Sequence, residues 1–212
     1  FFALTGIFTW FYGADIFLNA EASLTPFFNV AFWTLFLFIP AISMRSISED
    51  RLTGRFELLL SGPVSSSEYL IGKYIGLLVF VFIALLLTLS YPISLSQIGS
   101  PDTGAMLSGY LLLFLISAAN LAISLLMGSF SANAVISFIL SLVAITLFQI
   151  VFSLLADLNS GFIASLLNEL SYNYHFKNMA SGFILPEDLL FFPLLVILSL
   201  HFATRVIQLK RS

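Results

Sequence analysis

The chain has 212 residues, of which 59% are hydrophobic and only 9% charged, and its mean hydropathy is +1.05. An ordinary soluble domain carries about 25% charged residues, so these proportions exclude one and make a lipid bilayer the solvent. The absence of cysteine removes disulfide frameworks, thiolate metal sites and thiol nucleophiles; eight Lys plus Arg against eleven Asp plus Glu, net −3 with no basic tract, speaks against nucleic acid as a partner.

A helix that crosses the bilayer core needs roughly 20 apolar residues. Stretches free of Asp, Glu, Lys and Arg predict an all-α integral membrane protein whose single transmembrane domain, residues 1–212, holds six spans. The first, over 1–17, is expected to be truncated at its N-terminus, because Phe1 already lies inside an apolar run. That run ends in Trp10, Phe11 and Tyr12 rather than in a small-residue cleavage site, which favours a retained span over a signal-peptide core. The next two spans fall at 27–44 and 74–95. The uncharged stretch from Thr103 to Ala156 is too long for one helix; a turn through Gly128, Ser129, Ser131 and Asn133 divides it into spans at 105–127 and 134–156. The last covers 189–207.

Lysine and arginine are retained on the cytoplasmic side of a membrane. With six alternating spans, Arg45, Arg51, Arg55 and Lys73 share one side with Arg205, Lys210 and Arg211, and only Lys177 falls opposite. The loop 45–73 and the C-terminus are therefore expected in the cytoplasm.

That loop contains two Ser-x-x-Glu signatures, Ser46 with Glu49 and Ser65 with Glu68, each able to start a helix by a reciprocal capping box. The first predicts a helix from Ile47 to Leu60 stopped by Gly62-Pro63; the second predicts a helix that feeds the third span. The first helix could lie on lipid headgroups or dock onto a cytoplasmic protein. Its acidic residues Glu49, Asp50 and Glu57 would be repelled by anionic lipid, which favours docking.

The string Glu49-Asp50-Arg51-x-x-Gly54-x-x-Glu57-Leu58-Leu59-Leu60-x-x-Pro63-Val64-Ser65, followed by Gly72-Lys73, resembles the ABC-2 permeases, most of all the gliding-motility-associated type. Further matches are Pro40 through Met44-Arg45, Tyr91-Pro92, Pro101-Asp102-x-Gly104, Ser108-Gly109-Tyr110 and His175-Phe176-x-Asn178-Met179-Ala180-x-Gly182. Arg55 departs from the family's usual Thr, and Ser129 to Asn133 follow its turn only loosely. The resemblance implies a membrane subunit of the bacterial inner membrane that pairs with a second permease copy or paralogue and with cytoplasmic ABC ATPase subunits, with room for a periplasmic accessory subunit. It implies that the loop helix couples the two, through Glu49, Asp50, Arg51, Gly54, Arg55, Phe56, Glu57 and Leu59. ATP and Mg would sit in the partner, with no cofactor on this chain. In keeping with that, no Gly-x-x-x-x-Gly-Lys-Ser/Thr phosphate loop occurs in the sequence.

No ionisable residue falls mid-span except His201, to which no role is assigned. Asn120, Ser137, Ser141, Gln149 and Ser153 are candidates for a pathway or subunit interface, with hydrogen bonding between helices as the plainer reading. Between the fifth and sixth spans, Phe162, Leu166, Leu170 and Tyr174 fall on one side of an outer interfacial helix expected over 162–174, a candidate lid. No catalytic or metal-ligating constellation is evident, and the chain is expected not to be an enzyme by itself. Two functional readings follow: a permease that couples ATP hydrolysis in a partner to export, and a membrane anchor or force-transmitting subunit of a motility or envelope complex.

Overall fold

The computed structural model describes residues 1–8, 24–62, 64–97, 99, 102–180, 182 and 185–209. Its elements, in order, are helices α1 (Phe2–Ile7), α2 (Thr25–Leu52), α3 (Arg55–Ser61), α4 (Ser66–Leu87), α5 (Ser90–Ser96), α6 (Thr103–Phe130), α7 (Ala134–Asp157), α8 (Phe162–Glu169), α9 (Tyr172–Ala180) and α10 (Pro186–Leu209). Among the described residues no strand occurs, and five helical stretches are long and apolar enough to span a bilayer: α2, α4 with α5, α6, α7 and α10. Of the expected first span only α1 is described; most of 1–17 lies outside the described residues.

Helix α6 is the centre. Its apolar window is 72% buried, against 22–44% for the other four spans, which wrap around it. Asp102 starts it by accepting the amides of Gly104 and Ala105 at 2.8 and 3.3 Å, and Asn133 does the same for α7 with Val135 and Ile136 at 2.8 and 3.4 Å. Helix α2 runs parallel to α6, with Phe28 against Gly109 near one end and Ile47 against Gly128 near the other. Helix α4 runs antiparallel: its Tyr74 hydroxyl donates to the Ala118 carbonyl at 3.3 Å, and Tyr110 reaches the Thr88 carbonyl at 2.9 Å. Its i+4 partner, Pro92, has no amide hydrogen, so the Thr88 carbonyl accepts from the Tyr91 amide at 3.0 Å instead, with the Tyr110 hydroxyl as a second donor.

Three sequence expectations change. The Ser46–Glu49 signature starts no helix, because α2 continues through it to Leu52. Ile39, Ser43, Ile47 and Asp50 prolong one buried stripe, and their packing outweighs the local cap. Helix α6 likewise runs past Gly128 to Phe130, leaving a turn of only Ser131–Asn133. The apolar pattern over 162–174, within the outer interfacial helices expected between the fifth and sixth spans, does not fall on one helix but is divided between α8 and α9, separated at Leu170–Ser171. The reason is burial: α8 buries no residue, whereas α9 buries Tyr172, His175, Phe176 and Met179 as one face against the bundle. The Ser65–Glu68 capping box does form, with Glu68 N to Ser65 Oγ at 3.2 Å and Ser65 N to Glu68 Oε2 at 2.8 Å.

Candidate functional site

The charges at the loop between α2 and α4 form two layers. In the inner layer Asp50, at the end of α2, is only 7% exposed. Its Oδ2 accepts from the Tyr69 hydroxyl at 2.8 Å and meets the Lys73 ammonium at 2.7 Å, both in the first two turns of α4 and before the uncharged part of that span. An ionised carboxylate can only accept, so the Tyr69 hydroxyl is the donor of this bond. Phe56 of α3 packs edge-on against the Tyr69 ring at 5.7 Å, and the Arg51 guanidinium lies 4.8 Å over the Phe56 ring. A reversal at Gly54 makes this possible. Its φ of 71° is a left-handed conformation in which a side chain is strained, and it turns α3 back over the ends of α2 and α4. The capping amide and hydroxyl of Ser65 hold the Glu68 carboxyl below its usual range, fixing the first turn of α4 beside the cluster.

The outer layer is exposed. Leu52 and Leu58 are each 74% exposed and Leu59 43%, with Glu49 and Arg55 also outward. Of the eight expected coupling residues, Glu49, Arg55 and Leu59 therefore face out, Asp50 and Phe56 face in, Arg51 is half-buried and Gly54 supplies the turn. The side chain of Glu57 lies outside the described residues. Sequence reasoning missed Tyr69 and Lys73 as partners of Asp50, and Leu52 and Leu58 as outward apolar residues. A contact across 19 residues leaves no periodic signal.

The profile of the ABC-2 family transporter proteins matches residues 13–184, most of the chain. The chain belongs to that family. No curated protein matches it significantly. It is thus a multi-pass membrane protein and a permease subunit of an ABC transporter, a class of membrane subunit that is generally not catalytic.

Elsewhere in the permease, Asn120, Ser137, Ser141 and Gln149 are buried between helices and Ser153 is half-buried. Ser137 and Ser141 spend their hydroxyls on the carbonyls of Asn133 and Ser137 at 3.0 and 2.7 Å. The side-chain amides of Asn120 and Gln149 are fully buried with no hydrogen-bond partner, a costly arrangement in an apolar interior. Gln149 lies in a wide π turn, Leu147–Val151, inside α7, where Asn173 of α9 donates to its backbone carbonyl at 2.8 Å.

At the opposite end of the permease, Phe162, Leu166 and Leu170 are exposed and Tyr174 half-buried. Leu166 and Leu170 border a cavity of about 470 Å³ together with Glu169, His175, Glu187 and Phe191. The buried pair His175 and Asp188, with Nδ1 and Oδ1 2.5 Å apart, was also missed by sequence reasoning. His175 Nε2 lies 2.9 Å from the Glu169 carbonyl, which can only accept, so that nitrogen carries a hydrogen. Both ring nitrogens are thus engaged, and neither is available as a general base. The imidazole bonds the end of α8 to the start of α10. Among the described residues no group of three or more His, Cys, Asp or Glu could hold a metal ion.

Proposed function

We propose that this permease couples ATP hydrolysis by a separate cytoplasmic ATPase to the movement of a substrate out across the bacterial inner membrane. The observation that carries the reading is the two-layered loop: an apolar crown of Leu52, Leu58 and Leu59 standing on a cluster that joins the ends of α2 and α4. Exposed leucines over a rigid base are the features of a buried protein contact, since water gives them no favourable partner and a preorganised base keeps the ordering cost low. The distribution of Lys and Arg supports a cytoplasmic position for this loop and the C-terminus, where an ATPase is available. ATP and Mg belong to that partner. A second permease copy or paralogue completes the membrane portion, and a periplasmic accessory subunit would meet the α8–α9 end.

In this mechanism ATP-driven closure of the ATPase pair displaces α3. The displacement tilts α2 and α4 against the central α6 and opens the membrane portion between discrete packings. Helix α8, with Phe162 and Leu166 outward, serves as an outer lid over the exit. The gliding-motility type is what the motif resemblance suggests for the physiological system. The rival, an anchor or force-transmitting subunit, differs in needing no substrate, and substrate-stimulated ATP turnover separates the two.

The docking surface is tested by Leu58→Asp with Leu59→Asp. Both side chains are exposed, so the variant keeps the wild-type thermal midpoint in detergent, while co-purification of the ATPase subunit is lost. Retained co-purification overturns the docking surface.

A further inference from the structure

We infer that Asp50 is a positioning residue for coupling: with Tyr69 and Lys73 it forms a strut that makes the ends of α2 and α4 move as one body when α3 is displaced. The inference rests on the docking reading above and extends it from where the partner touches to how the displacement is passed on.

Helices α2 and α4 otherwise meet only sparsely, with the Phe38 and Phe80 rings 6.4 Å apart as a contact further along; each packs far more closely on α6 than on the other. A push on α3 reaches α2 through Gly54 and α4 through the segment 62–65, and without a tie between the two helix ends each could answer it separately. The Asp50 carboxylate supplies the tie. It is nearly buried, and one oxygen takes both the Tyr69 hydroxyl and the Lys73 ammonium, residues one helical turn apart on the same face of α4. Two charge-assisted or ionic contacts to a single oxygen tie this end of α4 to the end of α2. The strut then continues inward. Tyr74, the residue after Lys73, donates to the Ala118 carbonyl of α6, so a displacement at Asp50 reaches the central helix. Phe56 against Tyr69 and Arg51 over Phe56 seat α3 on the same cluster, so the crown and the strut share one base.

None of the strut side chains belongs to the exposed crown, which separates this role from docking. Asp50 is 7% exposed, and Lys73 offers its ammonium to Asp50 rather than outward. Removing the charge of the pair should therefore leave the partner bound and lose the transmitted movement.

The cysteine-free sequence permits a clean test. A single Leu158→Cys substitution places a fluorescent label at a residue 81% exposed, at the end of the bundle opposite the loop. The permease–ATPase complex in nanodiscs is then trapped with ATP and vanadate, and the change in label emission is read in four backgrounds: the Asp50 wild type, Asp50→Asn, Lys73→Met and the double variant. Asp50→Asn keeps an acceptor for Tyr69 and removes the charge; Lys73→Met keeps the apolar stem. Both single variants are expected to retain ATPase co-purification and to lose most of the nucleotide-driven emission change. The double variant is expected to be no worse than either single, as for residues that act as one unit. An undiminished emission change in both singles overturns the strut, as do additive losses in the double. If the singles release the ATPase instead, these residues act in docking or folding and the strut is wrong. If the wild-type complex itself does not assemble through the crown, it is the docking reading that fails.

Discussion

Gly109→Ala tests the contact that sets α2 against α6. A Cβ at this position would lie 2.3, 2.5 and 2.7 Å from three carbons of the Phe28 ring, more than 1 Å inside ordinary carbon–carbon contact of about 3.5–4.0 Å. The ring cannot give way easily. It is 2% exposed and held by Phe27 at 5.4 Å and by the edge-on Tyr110 at 5.6 Å. Tyr110 is fixed in turn by its hydrogen bond to Thr88. Overpacking of this kind costs about 1–3 kcal/mol, and a mid-range 2 kcal/mol lowers the thermal midpoint of a chain of this size by about 4–8 °C. The assay is thermal unfolding in a mild detergent. Gly76→Ala provides the control: its Cβ would meet nothing within 4 Å, so the same change there is neutral or stabilises by up to about 1 kcal/mol through helix propensity. Phe28→Leu opens space at Gly109, so the penalty of Gly109→Ala should shrink in the double variant. An unchanged midpoint for Gly109→Ala, or strict additivity with Phe28→Leu, would refute the packing argument.

Asp188→Ala leaves the buried His175 ring without one of its two hydrogen-bond partners and is expected to destabilise by about 1–3 kcal/mol, with Glu187→Ala, an exposed neighbour, as the near-neutral control in the same melt. Gly54→Ala forces a side chain into a left-handed conformation at a cost of about 1–2 kcal/mol, expected to appear as faster proteolysis within 53–65 rather than as global unfolding; unchanged cleavage would contradict the tight reversal.

Five of the six expected spans were legible because a bilayer demands long uncharged runs, and those runs stand out by counting alone. The helix start at Ser65 was legible, because a cap is a local contact between residues two or three apart; Asp102 and Asn133 make the same kind of local contact but were not read as caps. The cap at Ser46 misled for a complementary reason. Its local preference was real, but Ile47 and Asp50 continue the buried face of α2, and tertiary packing outweighs one cap. The loop was recognisable as a candidate site from its charges and glycine, yet which residues face inward was not. Asp50 finds Tyr69 and Lys73 across 19 and 23 positions, and His175 finds Asp188 across 13, distances over which no helical period carries information. The π turn in α7 has no composition signal either, since Leu147 to Val151 read as ordinary apolar helix.

The central claim is that the α3 crown is held by an ATPase subunit. It is tested most directly by placing a photo-crosslinking amino acid at Leu58, with a second at Leu158, exposed at the far end of the bundle, as the control. Irradiation of intact cells is expected to join the ATPase subunit to the chain carrying the group at position 58 and not to the one carrying it at 158. An ATPase adduct from position 158, or none from position 58 in cells where the complex is assembled, would contradict the account.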